Sequence, residues 1–206
     1  MKQVDKSSYE FERYMSKARW ISVWHQVNEV LRLKPESVLE IGPGPGLFKL
    51  IATQNGLHVE TMDPDPELNP DHLGSATAIP LPDSSFDTVC AFQMLEHLPY
   101  ESSLQAFGEM ARISRNNIVL SLPDAEPVWR YVFHVPKLGI LDWSVRRPFS
   151  RLKRHQFDGE HYWEINKKNY LLNRILSDFA RIAKVKCTYR VAENPYHRFF
   201  VFEKFR

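Results

Sequence analysis

Glycines alternate with prolines in Glu40-Ile41-Gly42-Pro43-Gly44-Pro45-Gly46, and the stretch lies between two apolar runs of different kind. Residues 37–41 read as a buried strand and residues 47–54 as an apolar helix closed by Asn55-Gly56. Gly42, Gly44 and Gly46 lack the Cβ atoms that would collide with a ligand lying across a strand end, and Pro43 and Pro45 limit the freedom of the turn. A strand, a ligand-sized turn and a helix in that order constrain the chain to an α/β architecture.

The rest of the chain continues the alternation. An aromatic-rich helical lead-in is expected over residues 9–33, ended by Pro35. Strands are expected at 57–62, near 75–77, at 86–92 and at 117–122, with an amphipathic helix over 100–114. Residues 124–164 break into prolines, aromatics and basic residues without a clean period and read as an insertion over the active edge of the sheet. A helix over 166–179 with Asn166 as N-cap follows, then two strands at 183–191 and 198–205 that suggest an antiparallel pair. The strand-helix alternation calls for a parallel sheet covered on both faces. One domain spans 1–206: a lead-in (1–36), a ligand-binding core (37–122), an insertion or lid in the substrate region (123–164), and a C-terminal helix with a strand pair (165–206).

The glycine spacing departs from the G-x-G-x-x-G of dinucleotide sites, because position 47 is leucine, which disfavours a dehydrogenase. Glu40, two residues before the first glycine, suits an ammonium group better than a phosphate. Three further segments follow in order: Asp63 after the next strand, Ile79-Pro80-Leu81-Pro82-Asp83-Ser84-Ser85-Phe86-Asp87, and Leu95-Glu96-His97-Leu98. Together these resemble the class I methyltransferases that use S-adenosyl-L-methionine (SAM), particularly the small-molecule and lipid-modifying branch, over roughly residues 37–122.

The resemblance implies a Rossmann-like fold: a seven-stranded, mostly parallel sheet with the last strand antiparallel and helices on both faces. It also implies SAM at the carboxyl ends of the first strands, S-adenosyl-L-homocysteine (SAH) as product, and methyl transfer to an oxygen or nitrogen nucleophile. Cofactor contacts would then come from Glu40, Gly42, Pro43, Gly44, Gly46, Asp63, Gln93, Met94 and His97, with both oxygens of Asp63 accepting from the ribose. The family often has an acidic residue for the adenine amine where this chain has Ser75, so Ser75, Ala76 and Ile79 are the candidate adenine wall. In-line displacement from a sulfonium needs orientation rather than a metal, and the strand leading to Gln93 ends with only Glu96 nearby, so no metal is expected.

His97 has the intrinsic pKa of a general base, although a structural or cofactor-proximal role is open to it as well. Glu96 could equally cap or orient the following helix. Trp129, His134, Arg146, His161 and Tyr162 are the candidate acceptor contacts within the insertion. Tyr9, Tyr14, Arg19 and Trp20 of the lead-in could close over the cofactor or simply pack in the core.

Composition narrows the partners. A formal net charge of +2 is too small to suggest a nucleic-acid binder, and Asn194-Pro195-Tyr196 lies between the last two strands rather than after the fourth, where a base-flipping element would stand. Cys90 and Cys187 lack the spacing of a disulfide framework or zinc site, which fits a reducing cytoplasm. Neither a signal peptide nor a membrane-spanning run is expected from the sequence, while the basic and aromatic residues of 127–157 would suit peripheral contact with a membrane. They tilt the acceptor towards an anionic, glycan-linked or lipid-linked molecule. A non-catalytic binding or regulatory protein of the same fold is the alternative from another class.

Overall fold

The structure is a computed structural model that describes residues 11–205. Tyr9 and the start of the expected lead-in lie outside the described residues. The chain begins with α1 (Phe11–Tyr14) and α2 (Lys17–Leu33), the latter N-capped by Ser16, whose side chain accepts from the backbone N–H of Arg19. β1 (Ser37–Ile41), α3 (Leu47–Gln54) and β2 (His58–Asp63) form the first strand-helix-strand unit. A two-residue strand, β3 (His72–Leu73), precedes β4 (Phe86–Phe92), α4 (Tyr100–Ile113) and β5 (Ser114–Pro123). After the insertion come α5 (Leu172–Phe179), β8 (Ala183–Arg190) and β9 (His197–Lys204).

The seven-stranded sheet has the order β3-β2-β1-β4-β5-β9-β8. β1 to β5 run parallel, and β9 is inserted antiparallel between β5 and β8, as the resemblance implied. Burial alternates along the strands with period two. Leu39, Ile41, Val89 and Phe200 face a core that Phe107 of α4 and Phe179 of α5 complete. Val38, Cys90, Val119 and Phe199 face the opposite layer, where Val27 and Val30 of α2 and Phe48 and Ala52 of α3 cover them. Glu40 shares that second face.

Three expectations are corrected. The third strand is His72–Leu73 rather than 75–77, and Ser75 makes only an isolated bridge with Ala78. The last helix starts at Leu172, not Asn166; Asn166 has a φ of 62° and its amide donates to Asp124, so the 166–171 stretch turns instead of coiling. Trp20 and Trp24 are about half exposed, and the buried face of α2 is carried by the smaller Val23, Val27 and Val30.

The insertion is ordered where no period was read. β6 (Val128–Val135) and β7 (Gly139–Arg146) form a hairpin, a two-stranded sheet of its own, paired from Val128↔Arg146 to Val135↔Gly139. Trp129, Tyr131 and Phe133 share one face with Val145, Trp143 and Leu141, all exposed, while an Arg130–Asp142 ion pair occupies the other. Valines and Ile140 on that second face blur the alternation, which is why it was missed. At the base, the Ala125 N–H donates to Ile165 O (2.9 Å) and the Ile165 N–H to Pro123 O (3.0 Å), closing the insertion onto the end of β5. Asp124 is buried there against Arg198 of β9 (2.7 Å) and Arg190 of β8. Among the described residues, no helix is long and apolar enough to cross a membrane.

Candidate functional site

Because β1, β2 and β4 are parallel, Ile41, Asp63 and Phe92 end on one edge of the sheet. The glycine turn crosses that edge. Gly42 donates its N–H to Met62 O (2.9 Å) at a φ of +70°, and a Cβ there would meet the Met94 side chain at 2.5 Å, so only glycine fits. Gly46, also in left-handed backbone, caps α3.

Two adjoining cavities open at this edge. The larger, of about 330 Å³, includes Glu40, Tyr14, Arg19, His161, Tyr196 and His197 in its wall. The smaller, of about 130 Å³, runs from Gly42 past Met62 and Asp63 to Ser75, Ala76 and Met94. Gly42, Gly44, Gln93 and His97 line both and mark the junction. Gln93 holds that position in left-handed backbone, fixed by its N–H to Ser121 O (2.9 Å) and its side-chain amide to the Ser121 hydroxyl (3.2 Å).

The carboxylates at the edge are perturbed. Burial pushes Glu40 up to about 8, against the opposing charge and backbone N–H of Lys49, and its Oε2 is buried without a hydrogen-bond partner. Asp63 is half-buried; burial raises it, and its Oδ1 accepts from the Asp65 N–H at 2.8 Å. Glu40, with an oxygen that lacks a donor, and the half-buried Asp63 stand at the ends of neighbouring strands and form a site shaped for a ligand that brings donors.

A second group of polar side chains lies at or behind the wall of the larger cavity. Glu96 is fully buried, and burial raises it to about 8. Burial and the neighbouring His161 lower His97, whose Nδ1 lies 3.0 Å from the Glu160 carbonyl; a carbonyl only accepts, which assigns the proton to Nδ1. His161 is raised: its burial is outweighed by Glu164, 3.2 Å from its Nδ1. His197 is pushed down to about 3, chiefly by burial, and is neutral. The returning segment of the insertion is pinned by Trp163, completely buried, whose indole N–H donates to the Ser103 hydroxyl (2.9 Å).

The structure brings most of the expected residues together. Glu40, Gly42, Pro43, Gly44, Asp63, Ser75, Ala76, Gln93, Met94 and His97 line one or both cavities, as do Tyr14, Arg19 and His161. Gly46 and Ile79 do not: Gly46 is the N-cap of α3 and lines neither cavity, and Ile79 is buried, with its N–H on Glu109 (2.9 Å) and its carbonyl on Arg112, facing the core rather than a ligand. Trp129 and His134 sit exposed on the hairpin, and Tyr162 is exposed beside the site with its N–H on Glu96 O. Arg146 pairs with Glu126 and lines a separate cavity of about 150 Å³ with Arg151 and Lys153. Tyr196, His197 and Glu160 were not among the expected residues; Asn194-Pro195-Tyr196 is a turn between β8 and β9, and nothing local showed that its tyrosine would face the site.

Sheet order, glycine turn and paired acidic strand ends define a class I SAM-dependent methyltransferase. The chain belongs to the methyltransferase domain family, which it matches over residues 11–170. Solved structures similar to it include the PH0226 protein of Pyrococcus horikoshii OT3, at 14% identity and TM-score 0.64 over 98% of this chain and 100% of that one. The Burkholderia thailandensis 1,6-didemethyltoxoflavin-N1-methyltransferase, solved with 1,6-didemethyltoxoflavin and SAH, shows 11% identity and TM-score 0.62 over 97% and 85%. Magnesium protoporphyrin IX methyltransferase of Synechocystis PCC 6803, solved with SAH, shows 15% identity and TM-score 0.56 over 91% and 84%. At these identities the likeness is one of fold. No curated protein matches the chain significantly.

Proposed function

We propose that the chain transfers the methyl group of SAM to an oxygen or nitrogen of a small-molecule, glycan-linked or lipid-linked acceptor. The observation that carries this reading is the buried, partnerless oxygen of Glu40 at the head of the glycine turn, a position that an ammonium group would satisfy. The SAM amine would sit at Glu40, its ribose at Asp63, and its adenine in the smaller cavity beside Ser75 and Ala76. Its sulfonium would then fall at the junction near Gln93 and His97, facing the larger cavity where the acceptor binds. Rate enhancement comes from holding nucleophile and methyl in line within ~3 Å. His97, kept neutral by burial and with Nδ1 protonated, offers Nε2 to receive the acceptor's proton.

The exposed aromatic face of the hairpin and the basic residues Arg146, Arg151 and Lys153 at its base favour an acceptor with an anionic or lipid-linked portion. Isothermal titration with SAM and SAH tests the cofactor reading. Wild type should bind both, with affinity reduced at least about tenfold in Asp63→Ala, the worth of one hydrogen bond to a charged group. Folded wild type that binds neither ligand overturns it and leaves a non-catalytic protein of this fold.

A further inference from the structure

Glu96 lies 0% exposed in the turn after β4, and neither of its carboxylate oxygens meets a hydrogen-bond donor. A buried carboxylate without a partner is costly, and a bound cation is one partner that removes the cost. Two imidazoles converge on the same point: the ligating atoms of Glu96, His97 and His161 all lie within 4.8 Å of one another, and the two rings are 5.0 Å apart at their centroids. Each ring is held through Nδ1, His97 by the Glu160 carbonyl at 3.0 Å and His161 by the Glu164 carboxylate at 3.2 Å. Outer acceptors of these kinds fix the tautomer of metal-binding histidines and make Nε2 the ligating nitrogen. The trio is also held from behind, since the Tyr162 N–H donates to Glu96 O (2.8 Å) and Trp163 is locked into the core.

We propose that Glu96, His97 and His161 bind a divalent first-row transition-metal cation, zinc-like in its preference for imidazole, whose open positions take an oxygen nucleophile of the acceptor. This rests on the methyltransferase reading for its role but not for its binding. Two imidazoles and one carboxylate favour zinc, or cobalt in its place, over calcium, magnesium or manganese, which seek oxygen ligands. His97 and His161 both line the larger cavity, so an ion held between them would border it. A second trio, Asp158, His161 and Glu164, shares His161, but its carboxylates are already used. Asp158 accepts the N–H groups of Glu160 and His161, and Glu164 is held by Lys167 and Tyr196.

The ion would lower the pKa of a bound hydroxyl; with it in place His97 would serve as a ligand instead of the proton acceptor proposed above, and the acceptor would lose its proton to solvent from the metal-bound oxygen. That replaces the expectation of no metal, which considered only groups near the strand end, whereas His161 arrives from the far side of the insertion.

The test uses the full chain stripped with a chelator, and Co²⁺ as probe. Wild type should take up a single Co²⁺ with visible ligand-field bands, and Glu96→Gln and His161→Asn should each weaken uptake at least about tenfold while retaining SAH binding. Glu164→Gln, which removes only the outer partner of His161, should weaken it about tenfold as well. Wild type that binds SAH but no Co²⁺, or uptake indifferent to Glu96→Gln and His161→Asn, overturns the site. Co²⁺ uptake that depends on Glu96 in a chain unable to bind SAH would sustain the site and remove the methyltransferase reading instead.

Discussion

The two halves of the site are built differently. The side proposed for the cofactor is local: Glu40, Gly42, Gly44 and Asp63 lie within one strand-turn-helix-strand unit, and parallel pairing alone brings them to one edge. The side proposed for the acceptor is assembled from afar, with Tyr14 and Arg19 from the N-terminal helices, His97 from the turn after β4, His161 from the return of the insertion, and Tyr196 and His197 from the start of β9. A local unit can hold one ligand chemistry constant, while a surface gathered from four segments can change without disturbing the sheet.

The sharpest way to break this comparison is at Gly42. In Gly42→Val, a left-handed backbone and a Cβ at 2.5 Å from Met94 would strain the turn and push Met94 into the smaller cavity. SAH affinity should fall at least about 30-fold, or about 2 kcal/mol, by calorimetry. Affinity within a few-fold of wild type would mean that the glycine turn does not shape the cofactor site.

A smaller effect concerns how the local unit is held together. Asp71 ties α3 to β2 by accepting from Lys49 (2.5 Å) and from the N–H and hydroxyl of Thr61 (2.7 and 2.8 Å). Burial alone would raise its pKa, but these donors outweigh it and hold the carboxylate down at about 2. With a folded value below the unfolded value of about 3.9, its contribution is present above about pH 4 and is lost as pH falls towards 2. The side chain is 38% exposed, so the contribution is discounted to about 1 kcal/mol. Urea unfolding of wild type and Asp71→Asn should differ by that amount at pH 6 and converge by about pH 2 to 3. A difference independent of pH would show that the carboxylate charge is not what joins the two elements.

The same contrast explains what was legible in the sequence. The run 38–63 could be read because its glycines, its acidic strand ends and its apolar periods each answer to neighbours in the chain. The His72–Leu73 strand is too short to carry a period, and Ile79 is turned inwards by Glu109 and Arg112, which lie a helix away. Of the acceptor candidates, His161 reaches the cavity because Trp163, two residues on, anchors in the core; Trp129 and His134 belong to a ribbon that pairs only with itself. The approach of His161 to Glu96 depends on where the insertion returns, which no local spacing encodes.

The hairpin gives the smallest expected effect and the cleanest separation of the halves. Val128 and Arg146 are paired directly, so their backbones stand about 5 Å apart and a two-residue Asn-Gly turn can join them. Excising residues 129–145 in this way leaves the Ala125–Ile165 and Ile165–Pro123 hydrogen bonds, and the buried Asp124 beneath them, in place. It also removes the exposed face of Trp129, Tyr131, Phe133 and Trp143, which buries little against the rest of the chain. SAH affinity should therefore stay within about twofold, under about 0.4 kcal/mol. If excision instead removed SAH binding, the ribbon would have to be part of the cofactor side, and the division between a local and an assembled half would fail. Retained binding would leave the hairpin free for the acceptor or its carrier, and screening of anionic and lipid-linked acceptors should compare the full chain with the excised one.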